Sequence, residues 1–193
     1  MKSRRFKKMI NKKGKIIKIA IAIVFVLIGT GLRLLPHLPN FAPILTIALF
    51  GGVYLPRKAA FILPLVAMVI SDIFIGYYEI SLMIFVYGSF LICVLLGFWL
   101  KKHIKWQTIW GFSVLSAAIF FLLTNFAVWA FTPWYQKTFS GLIQCYFLAL
   151  PFFRNTLLGN LFYATVFFGV YELVKVLVKK KITVLEKNSS PVD

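Results

Sequence analysis

The sequence predicts an all-α integral membrane protein with six transmembrane helices in one compact bundle. Of its 193 residues, 61% are hydrophobic and 14% are charged, whereas a soluble domain is about half apolar and about a quarter charged. Aromatic residues make up 18% of the chain, which excludes intrinsic disorder and fibrous repeats. Six spans of about 20 residues leave only short loops and two tails, so no separate aqueous domain is expected.

Hydrophobic runs between charged or proline-containing breakers define the six predicted spans. The second run is short and carries Gly51 and Gly52, so a re-entrant loop is the alternative at that position. The predicted spans cover residues 19–35, 41–55, 59–76, 81–100, 107–131 and 155–174. One further apolar segment, residues 138–153, is too short for a span. It is predicted as an interfacial helix on the outer face, followed by a new helix with Asn155 as its N-cap.

The distribution of basic residues predicts the orientation of these spans. Nine of the 22 Lys and Arg residues fall within residues 1–18. If both termini are cytoplasmic, 19 of the 22 lie inside, as the positive-inside rule requires, and a five-span arrangement would break that pattern. The first run ends at Arg33 without a small-x-small cleavage site, so it is an anchor rather than a signal peptide. The predicted regions are a cytoplasmic tail at 1–18, a transmembrane domain at 19–177 and a cytoplasmic tail at 178–193.

The net charge of +17 would suggest nucleic-acid binding in a soluble chain. Here the basic residues flank apolar runs, so anionic membrane lipid is the expected partner and nucleic acid is not.

Ionisable and amide side chains inside the spans are the first candidates for a functional site, because polar groups are costly in lipid. At about 1.5 Å of rise per residue, Arg33 and Asp72 lie about 20 Å, and Asn125 about 27 Å, from the inner ends of their spans. Asn160 reaches about the same level from the outer side. We therefore predict an outward-facing cavity that binds a small substrate with polar and aromatic character. Its predicted lining is Arg33, His37, Asn40, Asp72, Asn125, Trp129, Arg154 and Asn160.

Each candidate also has a structural alternative. Arg33 either extends to the outer head groups or forms an ion pair with Asp72. Asn125 and Asn160 are alternatively hydrogen-bonding groups between helices. His37 lies between two prolines that stiffen its loop, and its alternative is an ordinary surface histidine.

Catalytic and nucleotide-binding motifs are absent from the sequence. The two histidines, His37 and His103, lie in different loops, and there is no Gly-x4-Gly-Lys-Ser/Thr loop, so neither a catalytic triad nor ATP hydrolysis is predicted. Cys93 and Cys145 lie in apolar runs at unrelated spacing, which predicts no disulfide framework and no zinc site. The chain is expected not to be an enzyme and to use no cofactor and no metal.

Four stretches between residues 33 and 169 have a recognisable pattern. They are RLLPHLPNFAPILTIALFGG from residue 33, LPLVAMVISDIFIGYYE from residue 63, LLTNFAVW from residue 122 and ALPFFRNTLLGNLFY from residue 149. On these stretches the chain resembles a family of small bacterial inner-membrane proteins. That family in turn resembles the substrate-binding S components of energy-coupling-factor vitamin transporters, including solitary ones that take up cobalamin.

The resemblance implies an S-component-like bundle of six helices in the bacterial inner membrane, with both termini in the cytoplasm and a substrate pocket built from outer loops and helix ends. It implies uptake of a vitamin or similar micronutrient, with cobalamin as one candidate, and an energy-coupling transmembrane partner with ATPases. Two features depart from the S components. Ala20 and Ala22 are two residues apart where docking helices carry Ala-x-x-x-Ala, and Ser89 stands where solitary cobalamin proteins have a cysteine. The alternatives are a membrane assembly or scaffold protein without a small ligand, and an integral-membrane enzyme.

Overall fold

The fold is given by a computed structural model that describes residues 2–35 and 39–188. Every regular element in these residues is an α-helix, so the predicted all-α class is confirmed. The helices are α1 (Lys2–Leu34), α2 (Ile44–Tyr54), α3 (Arg57–Ile75), α4 (Ile80–Leu100), α5 (Trp106–Phe131) and α6 (Phe139–Asn188).

Each helix packs against the next one along the chain, and the connections are short, so neighbouring helices are antiparallel. The C-terminal ends of α1, α3 and α5 meet at one end of the bundle, which we call the distal end. The C-terminal ends of α2 and α4 lie at the opposite, proximal end, where α1 begins and α6 ends.

Within the described residues, four helices are long and apolar enough to cross a membrane. They are α3, α4, α5 and the part of α6 from Phe139 to Val178, and two shorter apolar segments, Ile19–Leu34 and Ile44–Tyr54, accompany them. The predicted boundaries of the third, fourth and fifth spans agree with α3, α4 and α5 to within two residues. The structure is therefore compatible with a membrane protein, because four of the described helices have the length and composition to span a bilayer.

The second predicted span, residues 41–55, contains a single helix, α2, which is shorter than predicted. α2 begins at Ile44 and has 11 residues, a length of about 16 Å, which is about half of a bilayer core. Pro43 explains the later start, because the residue before a proline is disfavoured in helical conformation. Residues 45–53 of α2 are all buried, so this short helix lies in the centre of the bundle.

The rings around Phe50 of α2 form the centre of the core. Phe50 stacks on Phe25 of α1 at 5.6 Å between ring centroids. The edges of three α6 rings meet Phe50 at 5.3 to 6.0 Å, a geometry that aromatic pairs favour. These rings belong to Phe167, Phe168 and Tyr171. They fix α2 between α1 and α6.

α6 is one continuous helix, so the predicted interfacial helix at 138–153 and the predicted helix start at Asn155 are both wrong. Pro151 lies inside the helix. The helix packs along α5 on both sides of this proline, because Phe121 of α5 contacts Tyr146 before it and Phe153 after it, at 5.5 and 4.7 Å between ring centroids. Tertiary packing therefore holds this segment helical, although the proline removes one backbone hydrogen bond.

α2 and α4 are in direct backbone contact at two glycines. A Cβ atom added at Gly52 would lie 2.3 Å from the carbonyl oxygen of Val94, and one added at Gly97 would lie 2.3 Å from that of Leu49. Both distances are far below van der Waals contact with atoms that cannot rotate away. Glycine at both positions is therefore what allows the buried helix α2 to approach α4.

We expect Gly97→Ala to lower the free energy of unfolding by about 1 to 3 kcal/mol, because the added methyl group overpacks the contact. Thermal unfolding of the purified protein in detergent measures the effect. Gly88→Ala is the matched control in the same helix, because a Cβ atom at Gly88 meets nothing within 4 Å. It should leave the stability unchanged or raise it by up to about 1 kcal/mol. Equal effects of the two changes would contradict the close contact.

Candidate functional site

A buried ion pair between Arg33 and Asp72 lies near the distal end. Nη2 of Arg33 and Oδ1 of Asp72 are 2.6 Å apart, and the two side chains are 12% and 1% exposed. The predicted ion-pair alternative is thereby confirmed. Nη1 of Arg33 also donates to the hydroxyl of Ser71, and the Tyr87 hydroxyl donates to the other carboxylate oxygen of Asp72.

The positions of these residues in their helices explain the pairing. Arg33 lies in the last turn of α1, where the helix dipole favours a cation. Asp72 lies in the last turn of α3, where the same dipole disfavours an anion, so the carboxylate needs a compensating charge. α1 and α3 pack together at this end, and Tyr87 of α4 completes the shell of donors around Asp72.

Tyr78, in the connection between α3 and α4, lies close to the same pair. Burial raises the pKa of Tyr78 to about 12, with a smaller contribution in the same direction from Asp72 and an opposing one from Arg33. Its phenol is therefore protonated at physiological pH and adds no charge to the site.

A cavity of about 230 Å³ lies beside this ion pair. Two of the predicted site residues, Arg33 and Asn40, line it. Asn40 has a φ of 62°, a left-handed conformation that asparagine tolerates better than most residues. The described residues that line it are Arg33, Asn40, Ala42, Ile44, Leu45, Ile75, Phe90, Phe120 and Thr156.

Most of this lining was not found from the sequence. Phe90 and Phe120, whose rings stack at 6.0 Å, belong to a chain with 21 phenylalanines, so no pattern distinguishes them from core residues. Thr156 lies in an apolar run. Tyr87 could have been found as a hydroxyl on the fourth span near the predicted depth of Asp72.

Asn160 does not lie at the level of Asn125, so the predicted common polar layer is wrong in this respect. The Asn160 amide donates to the carbonyl of Ser113 at 2.7 Å, and its oxygen accepts from Thr46 at 2.6 Å. Ser113 precedes Asn125 on α5 by 12 residues, or about 18 Å. Asn160 therefore joins α2, α5 and α6 as the helix-packing alternative describes.

Asn125 and Trp129 lie apart from the cavity lining. The Asn125 amide donates to the carbonyl of Phe121 in its own helix at 2.8 Å. The Trp129 indole donates to the carbonyl of Gln136 at 3.0 Å, and the Lys137 ammonium caps the end of α5 by donating to the carbonyls of Trp129 and Thr132. These contacts order the α5–α6 connection.

Arg154 lies on the exposed face of α6. Residues two apart on a helix differ by about 200°, so Arg154 points away from the side on which Thr156 lines the cavity. Asp72 lies behind Arg33 rather than in the lining, and His37 lies outside the described residues.

A second polar cluster, which no sequence pattern indicates, occupies the proximal end. The Tyr54 hydroxyl donates to Glu172 at 2.7 Å, and Lys175 pairs with the same carboxylate. Cys93 and Cys145 are both free and buried. In the parts of the chain that the structure describes, no three His, Cys, Asp or Glu side chains come together.

The fold and the site define a helical protein with membrane-length apolar helices and a small cavity beside a neutralised ion pair. A family model described as "Family of unknown function (DUF6580)" matches residues 13–184, so the chain belongs to this family. No curated protein and no solved structure matches the chain.

We expect Asp72→Ala to lower the free energy of unfolding by about 3 to 5 kcal/mol, because it leaves Arg33 charged and unpaired. The double change with Arg33→Ala should recover part of that loss in thermal unfolding. Tyr87→Phe, which removes one hydrogen bond and no charge, should cost about 1 to 2 kcal/mol. Strictly additive effects of the two alanine changes would contradict direct coupling of the pair.

Proposed function

We propose that the chain is a multi-pass protein of the bacterial inner membrane that binds a small, uncharged micronutrient on its outer side for uptake. The observation that carries the proposal is the cavity beside Arg33 and Asn40 at the distal end. Two residues of its lining, Asn40 and Ile75, are exposed, which provides access from that end.

The proposed orientation has both termini in the cytoplasm and the distal end outside. Of the 22 basic residues, 19 then lie on the cytoplasmic side, as the positive-inside rule requires. Two of the three exceptions have structural roles, because Arg33 pairs with Asp72 and Lys137 caps α5. In this arrangement residues 39–55, including the short helix α2, form the second of six crossings.

The charge balance at the cavity supports an uncharged ligand. Among the lining residues that the structure describes, Arg33 alone carries a formal charge. Its guanidinium is engaged with Asp72, Ser71 and the carbonyl of Met68. Both oxygens of the Asp72 carboxylate accept hydrogen bonds. A charged ligand would therefore have to be desolvated without a free counter-charge.

The size and walls of the cavity narrow the ligand class further. A volume of about 230 Å³ lies below the range of about 300 to 1,000 Å³ that buries a drug-sized molecule. Cobalamin is therefore too large to be enclosed here. Six of the nine lining residues that the structure describes are apolar, and Asn40 and Thr156 supply the polar groups that orient a ligand.

The resemblance to vitamin-transporter S components supports uptake rather than a purely structural role. An energy-coupling transmembrane partner with ATPases would then drive transport. A membrane scaffold without a small ligand is the competing function, and it requires no occupant of the cavity.

We expect Ala42→Phe to abolish ligand binding, because the ring fills part of the cavity. The measurement is native mass spectrometry of protein purified from its own membranes, in which the wild type should carry a bound small molecule. Ala20→Phe, the same change on an exposed position of α1, is the matched control and should retain the molecule. A wild-type protein without a bound species, together with unchanged growth of a deletion strain on trace micronutrients, would favour the scaffold.

We expect single cysteines placed in the tails, at Ser3 and Ser189, to react with a membrane-impermeant thiol reagent only after the cells are opened. The physical reason is the charge bias of the predicted cytoplasmic side. A cysteine at Thr138, in the α5–α6 connection, is the control and should react in intact cells. Labelling of a tail cysteine in intact cells would overturn the orientation and place the cavity on the wrong side for uptake.

A further inference from the structure

Two phenylalanine rings form an aromatic wall of the cavity. Phe90 of α4 and Phe120 of α5 both line it, and their rings stack with 6.0 Å between centroids and 22° between planes. Phe90 is 2% exposed, whereas Phe120 is half-buried. Phe120 therefore presents more of its ring to the cavity, and Phe90 holds that ring in place. Because aromatic rings favour offset parallel contacts, a flat ring in the cavity would extend this stack.

The other described apolar residues of the lining are aliphatic and come from different parts of the bundle. They belong to the start of α2, the residues before it and the end of α3, and they are Ala42, Ile44, Leu45 and Ile75. The cavity volume of about 230 Å³ equals that of about eight water molecules at about 30 Å³ each. The cavity therefore has room for one substituted ring, which would contact the aromatic wall and these aliphatic side chains.

The hydroxyl of Thr156 sets the polarity of the ligand. It donates to the carbonyl of Phe152, one turn earlier in α6, at 2.9 Å. A hydroxyl has one hydrogen to donate and two lone pairs that accept, so this oxygen is available to a ligand only as an acceptor. Thr156 is 7% exposed, and a ligand acceptor placed against it would be desolvated without a hydrogen bond. The ligand therefore has to bring an N–H or O–H donor.

Asn40 imposes no comparable requirement on the ligand. It lies at the exposed side of the cavity, and its amide group can both donate and accept hydrogen bonds. The charge of Arg33 is balanced by Asp72. The chemical selectivity of the described lining therefore depends on the ring of Phe120 and the oxygen of Thr156.

We infer that the cavity selects an uncharged molecule built on one flat aromatic ring with an N–H or O–H donor, the ring packing on Phe120 and the donor bonding to Thr156. The inference names the ligand class of the site in the proposed function and rests on that site. Phe120 belongs to α5 and Thr156 to α6, so the ligand has to satisfy two contacts from two helices. A puckered ring loses the first contact, and a molecule without a donor loses the second.

Three probe molecules of similar size separate the two contacts. Benzamide has a flat ring and an N–H donor, cyclohexanecarboxamide keeps the donor on a puckered ring, and methyl benzoate keeps the flat ring without a donor. Ligand-observed NMR titration of the purified full chain in detergent, after extensive dialysis, measures the affinity for each probe. We expect benzamide to bind about tenfold more tightly than either of the others, because each of them lacks one contact.

Substitutions at the two residues assign each contact. Thr156→Val removes the hydroxyl and keeps the shape, so it should lower the affinity for benzamide about tenfold and leave that for methyl benzoate unchanged. Thr156→Ser keeps the oxygen and should keep the affinity for benzamide. Phe120→Leu should abolish the preference for benzamide over cyclohexanecarboxamide.

Thr165→Val is the matched control for the change at Thr156. Thr165 lies further along α6, outside the described lining, and its hydroxyl also donates to a carbonyl one turn earlier, that of Leu161. The change should leave all three affinities unchanged. Thermal unfolding verifies that each variant is folded.

Three results of the titrations would overturn the inference. They are equal affinities for the three probes, no binding of benzamide, and a loss at Thr156→Val that Thr156→Ser shares. An aliphatic or donor-free molecule bound to the wild type in native mass spectrometry would also overturn it, while leaving the proposed uptake in place. Conversely, the expected probe preferences together with unchanged growth of a deletion strain would reject uptake and support the ligand class.

Discussion

The backbone contact between Gly52 of α2 and Gly97 of α4 is the constraint on which the rest of the bundle depends. A helix of 11 residues is too short to hold itself across a bilayer core, and only close packing on all sides keeps it in the centre. With α2 fixed there, its first residues, Ile44 and Leu45, become one wall of the cavity. The cavity exists because α2 is short and begins inside the bundle. A helix long enough to span the bilayer at this position would fill that volume.

The ion pair of Arg33 and Asp72 serves a second structural purpose at the same end. It joins the last turns of α1 and α3, two helices with no short connection between them. Because breaking a buried pair leaves an uncompensated charge, the pair also specifies which faces of α1 and α3 meet. The described lining of the cavity next to it is therefore mostly apolar, and the charge of Arg33 in that lining is balanced by Asp72.

Helices whose ends are marked by charged residues could be predicted from the sequence. Features that depend on packing between helices could not. The limits of α3, α4 and α5 follow from Arg57, the Lys101–Lys105 loop and uninterrupted apolar runs. The rise of a helix predicted that Arg33 and Asp72 lie at the same level, and they form an ion pair. Pro151 was interpreted as a helix end because its local effect is visible in a sequence, whereas its packing on α5 is not. Likewise, Asn160 could be recognised as a polar group in an apolar helix, but its partners on α2 and α5 could not.

The continuity of α6 has a mechanical consequence. Thr156 borders the cavity and Glu172 binds Tyr54 at the proximal end, about 24 Å apart on the same helix. Pro151, the weakest point of that helix, lies outside this stretch. Because this part of α6 has no proline, it can shift or rotate about its axis as one rigid unit. A displacement of α6 at the cavity wall would therefore also move the Glu172 carboxylate, which binds Tyr54 of α2. α6 therefore connects the cavity wall to the proximal polar cluster, and the buried helix α2 is bonded to it through Thr46 and Tyr54.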